Sequence, residues 1–154
     1  MIRAVFILLT WLATLQPGVA GEAAFSIGAF DVNDDTKAMV QVELDTDLAW
    51  AGLRPQLGLF VTGQSAAYLY AGLGYPFQLA ERWQLTPSIS AGYYKKGAGK
   101  DLGHDLEFYS QLRLNYAVSV DLSVGIGIAH ISNAGLGEKN PGANMAYASC
   151  SRRF

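Results

Sequence analysis

Beyond about residue 24 the chain alternates apolar and polar side chains in runs of about ten residues, the period of two expected of β-strands with unlike faces. Leu106, Phe108, Leu112, Leu114 and Tyr116 share one parity, while Glu107, Tyr109, Gln111, Arg113 and Asn115 share the other. Trp83, Leu85, Pro87, Ile89 and Tyr93 alternate in the same way with Gln84, Thr86, Ser88, Ser90 and Gly92. Leu53, Pro55, Leu57, Leu59 and Val61 oppose Arg54, Gln56, Gly58 and Thr62. Turn formers such as Asn33-Asp34-Asp35, Gly63-Gln64 and Glu81-Arg82 punctuate the runs. The pattern predicts eight strands, over residues 24–32, 37–45, 52–62, 65–75, 83–94, 105–117, 121–133 and 144–154. Lys95-Lys96-Gly97-Ala98-Gly99-Lys100 reads as a loop.

The polar face decides where the apolar face points. A soluble sandwich turns its apolar face inward and covers the outside with Lys and Glu. Here the polar positions are mainly Ser, Thr, Gln and Gly, with few charges. Strands of about ten residues also have the length that a tilted membrane crossing needs. The expectation is an all-β fold, an eight-stranded antiparallel transmembrane β-barrel whose lumen is filled by side chains. Inside it, Glu107 and Arg113 require partners, because an unpaired buried charge is costly. Trp50, Tyr75, Trp83, Tyr93, Tyr94 and Tyr116 lie near strand ends, as interfacial aromatic girdles do. The chain finishes on Phe154, although Arg152 and Arg153 stand where an apolar ending is more usual. A soluble periplasmic β-sandwich stays open as the competing fold.

Composition then narrows the compartment and the chemistry. Residues 1–20 carry Arg3, an apolar core of about a dozen residues and Gly18-Val19-Ala20, the pattern of a secretory signal peptide cleaved after Ala20. That core is too short to cross a bilayer as a helix. Residues 21–154 are then one barrel domain, placed in the Gram-negative outer membrane. The formal net charge of −2 argues against nucleic acid as a partner. With Cys150 as the single cysteine and two histidines in all, neither a disulfide nor a metal or cofactor site is expected.

One strand carries an anomaly. With both termini in the periplasm, odd strands run outward, so residues 121–133 end at the external rim. Leu122, Val124, Ile126 and Ile128 form its apolar face, and Ser123, Gly125, Gly127 and Ala129 the lumen face. By parity His130 and Ser132 continue the lipid face, an expensive place for polar groups without partners. Side chains at i and i+2 project the same way, about 6.5–7 Å apart along the strand. An imidazole and a hydroxyl can lean across that gap, as a base-activated serine requires. The pair can equally be two ordinary interfacial polar residues.

The string His130-Ile131-Ser132-Asn133-Ala134-Gly135-Leu136, with Asn140-Pro141-Gly142 and Asn144 after it, resembles the lipid A 3-O-deacylase family, the PagL-like outer-membrane esterases. Phe30-Asp31-Val32-Asn33-Asp34-Asp35 and the segment from Gly103 to Phe108 are similar as well. The resemblance implies an eight-stranded barrel that hydrolyses the 3-O-acyl ester of lipid A in lipopolysaccharide and releases a 3-hydroxy fatty acid. It also implies His130 as general base, Ser132 as nucleophile and Asn133 as oxyanion contributor, with lipid A and membrane lipids as partners. A homo-oligomer is open on this reading.

The family's histidine-orienting glutamate should follow the Pro-Gly turn, where this chain has Ala143 and Asn144. Asn144 can hold an imidazole by its amide oxygen. Glu138 can reach back from the external loop, and a dyad or an inactive barrel with a lipid-binding or structural role is the remaining alternative. Lys95, Lys96, Lys100 and Lys139 lie in the outer loops, where they can meet phosphates or solvent alike. His104 is expected at the rim without catalytic duty, and Cys150 as packing.

Overall fold

The computed structural model describes residues 21–48 and 50–154, so the expected signal peptide over residues 1–20 lies outside the described residues. The strands are β1 (Gly21–Phe30), β2 (Lys37–Thr46), β3 (Arg54–Thr62), β4 (Ala67–Gly74), β5 (Phe77–Ala80), β6 (Trp83–Lys95), β7 (Leu106–Ala117), β8 (Leu122–Ser132) and β9 (Ala143–Arg153). Each pairs antiparallel with its neighbours, and β1 closes the ring on β9 with Gly28 opposite Tyr147. The result is a closed eight-stranded antiparallel barrel, because β4 and β5 are two pieces of one staved wall that both pair with β6.

The strand expected over residues 65–75 is observed as β4, and the departure is the short β5 beyond it, where no strand was expected. Pro76 has no N–H for the ladder, so pairing lapses at Tyr75-Pro76 and resumes at Phe77. Tyr75 N still donates to Pro87 O at 3.0 Å, which keeps the two pieces in line. The third strand also starts later than expected. Ala51 and Gly52 take positive φ in the turn before it, and Trp50 bridges to Leu53.

Alternation turns this barrel inside out relative to a soluble fold. Ile89 and Ile126 are 63% and 64% exposed on the outer wall, whereas Gln41 and Glu43 are 1% exposed in the lumen. That distribution suits a hydrocarbon surround and excludes the soluble sandwich. Among the described residues no helix is long and apolar enough to cross a membrane. The crossing elements are strands, whose closed ladder pairs the wall's backbone groups with one another.

The lumen is filled in two layers. Toward the end that carries the loops over residues 96–105 and 133–142, Phe30, Phe60, Tyr68, Tyr70 and Tyr109 pack ring against ring, with centroids 5.1–6.0 Å apart. Toward the end that carries the termini, Arg113 donates to Glu43 at 2.6 Å and also to Asp45. Tyr70 and Gln111 donate to the second oxygen of Glu43, each at 2.7 Å, and Gln56 donates to Asp45 at 2.7 Å. Arg113 thus has the lumen partners that the sequence required. Glu107 does not: it is fully buried, and its carboxylate meets no side-chain partner among the described residues.

One more expectation changes. Tyr94 belongs to the lumen, not the girdle, because it alternates with the outward-facing Tyr93; its hydroxyl donates to Lys100 O at 2.9 Å. The unusual arginines at the end of the last strand leave its ladder unbroken. β9 pairs along both edges, and Arg152 and Arg153 sit at its terminal end, 3.7 Å from Asp121 and 4.0 Å from Glu22.

Candidate active site

His130 lies two residues before the end of β8 and points outward, as its parity demands. The register places Asn144 of β9 directly opposite it on one side and Ser110 of β7 on the other. All three side chains are exposed on the outer wall. Nδ1 of His130 is 2.8 Å from Oδ1 of Asn144. An amide oxygen only accepts, so the imidazole carries its proton on Nδ1 and presents the Nε2 lone pair elsewhere.

Asn144 is itself held. Its Nδ2 donates to Oδ1 of Asn33 at 2.7 Å, across from the β1–β2 hairpin, and its backbone oxygen accepts from Val32 N at 3.0 Å. The Cε1–Nε2 edge of the imidazole lies beside Gly142. A Cβ there would stand 2.9 Å from Cε1 and 3.3 Å from Nε2 of His130, and Gly142 has a φ of +58° that favours glycine in any case.

Ser132 follows on the same face, half-buried, with Phe108 as its partner in the ladder. No hydrogen bond joins it to His130 among the described residues. The step of two residues leaves about 6.5–7 Å along the strand, which a side-chain rotation on either residue must close. Glu138 is exposed in the loop after β8 and makes no hydrogen bond to His130 among the described residues. Of the two residues considered for orienting the imidazole, Asn144 is the one in contact.

Asn133 is fully buried, and its parity turns it away from Ser132. Its Nδ2 donates to Leu102 O and Lys139 O, both at 2.8 Å, and its Oδ1 accepts from Gly135 N at 2.9 Å. The side chain therefore works as a clamp: it ties the loop over residues 96–105 to the loop over residues 133–142. It also holds a turn in which Ala134 and Gly135 have φ of 53° and 83°. Any oxyanion contribution from this residue must pass through that turn's backbone.

The same loops carry the lysines. Lys100 donates to both oxygens of the buried Asp31, at 2.9 and 2.8 Å. Lys96 and Lys139 share Asp101, each at 3.2 Å. The Gly103 N–H and then those two lysines push the Asp101 carboxyl down to about 2. His104 stays at the rim, where its Nδ1 accepts from Leu106 N at 2.9 Å. Cys150 is exposed on the outer face of β9.

Below His130 the outer wall is hollowed. A shallow trough of about 570 Å³ runs past His130 and Asn144 between Val32, Pro87, Leu112 and Ile128. A second hollow of about 700 Å³ continues it toward the terminal end, walled by Ile27, Leu114 and Ile126. The floor is low because β9 contributes Ala146 and Ala148 to that face. Such a site can take an extended aliphatic chain lying on the wall, with its polar end beside the imidazole.

Sequence reasoning missed Asn33, Gly142 and Ser110. Ser110 did leave a signal, since it interrupts the row Leu106, Phe108, Leu112, Leu114 with a hydroxyl. Asn33 lay in a segment that carries the family resemblance, but nothing local gave its role, because only closure of the ring brings its hairpin beside β9.

The chain matches the family model described as lipid A 3-O-deacylase (PagL) over residues 28–153, a span that includes Asn33, His130, Ser132 and Asn144. No curated protein matches it. Among solved structures, that of the outer membrane enzyme PagL superposes with a TM-score of 0.64 at 18% identity, covering 84% of this chain and 97% of the other. A de novo designed transmembrane β-barrel superposes with a TM-score of 0.67 at 12% identity, covering 90% of this chain and 98% of the other. The Neisserial surface protein A superposes with a TM-score of 0.55 at 13% identity, covering 88% and 96%. At these identities the likenesses establish the fold, and the family model establishes the kinship.

Proposed function

Because the chain belongs to the lipid A 3-O-deacylase (PagL) family, we propose that it is a serine esterase of the Gram-negative outer membrane. It hydrolyses the 3-O-acyl ester of lipid A and releases a 3-hydroxy fatty acid, with residues 1–20 serving as its secretion signal. The observation that carries this reading is the 2.8 Å contact between His130 Nδ1 and Asn144 Oδ1 at the head of an apolar trough on the outer wall.

In this reading the substrate remains in the lipid leaflet and lays one acyl chain in the trough over Ala146 and Ala148. Ser132 Oγ attacks the ester carbonyl carbon while Nε2 of His130 takes the hydroxyl proton. The negative charge that develops on the carbonyl oxygen meets the backbone N–H of Ala134, since those of Asn133, Gly135 and Leu136 are already engaged within the loop. One such donor is worth about 2.7–4 kcal/mol in other acyl-transfer enzymes. Collapse of the tetrahedral intermediate expels the sugar 3-oxygen, which leaves as the alcohol with the proton from His130. Water then attacks the acyl-serine by the same route, giving the free 3-hydroxy acid and restoring Ser132. Asn144 holds the Nδ1 proton throughout, with a dipole rather than a full charge. The Ser132–His130 contact closes when substrate fills the trough, since catalytic hydrogen bonds are commonly loose before binding. Lys95, Lys96 and Lys139, at the loop end of the same wall, would face the phosphates of the lipid.

A second reading has an observation in its favour. The unformed Ser132–His130 bond and the neutral Asn144 suit a barrel that binds lipid without cleaving it. Mass spectrometry of lipid A from cells expressing the protein or its Ser132→Ala variant separates the two. Loss of one 3-hydroxyacyl group with the wild type alone supports the esterase. An unchanged spectrum with both, while the protein is folded in the outer membrane, supports the binding barrel.

A further inference from the structure

We infer that Asn33 is a positioning residue that selects the imidazole tautomer of His130 by biasing which end of the Asn144 amide faces the ring. The inference deepens the esterase reading and rests on it only for its kinetic consequence. It starts from a weakness of asparagine in this place. A carboxylate is an acceptor at both oxygens, so it holds Nδ1–H however it is turned. An amide has one accepting and one donating end, and the two differ by a half-turn about the side chain. If the Asn144 Nδ2 faced the ring, Nδ1 would have to accept, the proton would sit on Nε2, and no base would face the serine. In serine proteases the Asp→Asn exchange costs about 10⁴-fold in turnover through that wrong tautomer.

Asn33 biases that choice through a second hydrogen bond, which an inverted Asn144 could keep only if the Asn33 amide turned as well. Its Oδ1 accepts from Asn144 Nδ2 at 2.7 Å, and with the donor engaged there the Asn144 oxygen is left for His130 at 2.8 Å. The two bonds form one directed chain, from His130 Nδ1–H to Asn144 to Asn33, with one donor and one acceptor at each junction. Asn33 comes from the β1–β2 hairpin, 111 residues from its partner, and ring closure between β1 and β9 brings it there. A residue that only filled space at this rim would have no need of an accepting atom at that point.

The test is ¹⁵N NMR of histidine-labelled protein in micelles, with His104→Gln used to assign the two rings. The wild type should show Nδ1 protonated and Nε2 unprotonated in His130. Asn33→Leu should populate the Nε2–H tautomer, and kcat on lipid A should fall about tenfold, the worth of one amide hydrogen bond. Asn33→Asp keeps an acceptor facing Asn144 Nδ2 and should retain the wild-type tautomer. Asn144→Asp in the Asn33→Leu background should restore it, because a carboxylate needs no orienting partner. An Nδ1–H signal unchanged by Asn33→Leu would overturn the inference. So would an Asn33→Asp spectrum that matches Asn33→Leu. The spectra do not depend on turnover. A wild type that shows this tautomer pattern but cleaves no lipid A refutes the esterase reading alone, and an active wild type whose tautomer ignores Asn33 refutes the positioning role alone.

Discussion

Asn144 faces His130 across the β8–β9 ladder and accepts its Nδ1–H at 2.8 Å, on a wall whose large side chains are mainly Leu, Ile and Val. The contact holds the ring, and in the esterase reading it would give the imidazolium only a dipole for company. Asn144→Asp keeps the size of the side chain and adds the charge, and a hydrogen bond to a charged group is worth about 1 kcal/mol more than a neutral one. The expected outcome is roughly a fivefold rise in kcat on lipid A, with KM little changed. Asn144→Leu should lower kcat instead. Steady-state kinetics on the purified variants checks both directions.

The trough makes a separate prediction about substrate size. Ala146→Phe raises the floor between Leu112 and Ile128 without touching His130 or Ser132. Hydrolysis of a long-chain lipid substrate should fall tenfold or more, roughly the worth of one or two buried methylenes. Cleavage of a short water-soluble ester should be nearly unaffected. If both fall together, the variant has disturbed the catalytic groups and the trough does not bind the chain.

Stability should depend on a cluster remote from the chemistry. Arg113 is paired with Glu43 and Asp45 in the lumen, and removing it leaves two buried carboxylates with no cation. Breaking a buried pair in this way costs about 3–5 kcal/mol. Arg113→Met should therefore shift the heat-modifiable band to lower temperature. The triple variant Arg113→Met, Glu43→Gln, Asp45→Asn should recover most of the loss, because it removes the charges along with their partner.

Asp101 gives the loops a pH dependence whose sign follows from its depressed carboxyl. A group held down to about 2 when folded, against about 3.9 in an unfolded chain, contributes fully above the higher value. That contribution drains away as the pH falls from about 4 through about 2. Over this window the amide of Gly103, which donates to Asp101 Oδ1 at 3.0 Å, should lose exchange protection. In Asp101→Asn the protection should be lower at neutral pH and flat across the window.

Most of the barrel could be read from the chain because a period of two leaves each residue a choice between two environments. The rows Leu106–Tyr116 and Glu107–Asn115 therefore divide between the outer wall and the lumen as written. The same rule, applied strictly, would have moved Tyr94 inside, since Tyr93 and Tyr94 cannot share a face. It also assigns Asn133 to the lumen side. Its family role invited a place beside Ser132, whereas the alternation turns it toward Leu102 and Lys139. The strand β5 was less accessible, because four residues are too few to show a period. Asn33 depended on contacts made across the closed ring, which no local pattern encodes. Between Asn144 and Glu138 the sequence alone left a choice, and register settled the contact: Asn144 is the residue opposite His130.

The most direct measurement of the account is the release of free 3-hydroxy fatty acid from purified lipid A by the refolded protein, quantified beside Ser132→Ala and His130→Ala. The account predicts one 3-hydroxy acid per lipid A from the wild type and none above background from either variant. Equal release by all three folded proteins, or none from the wild type, would contradict it.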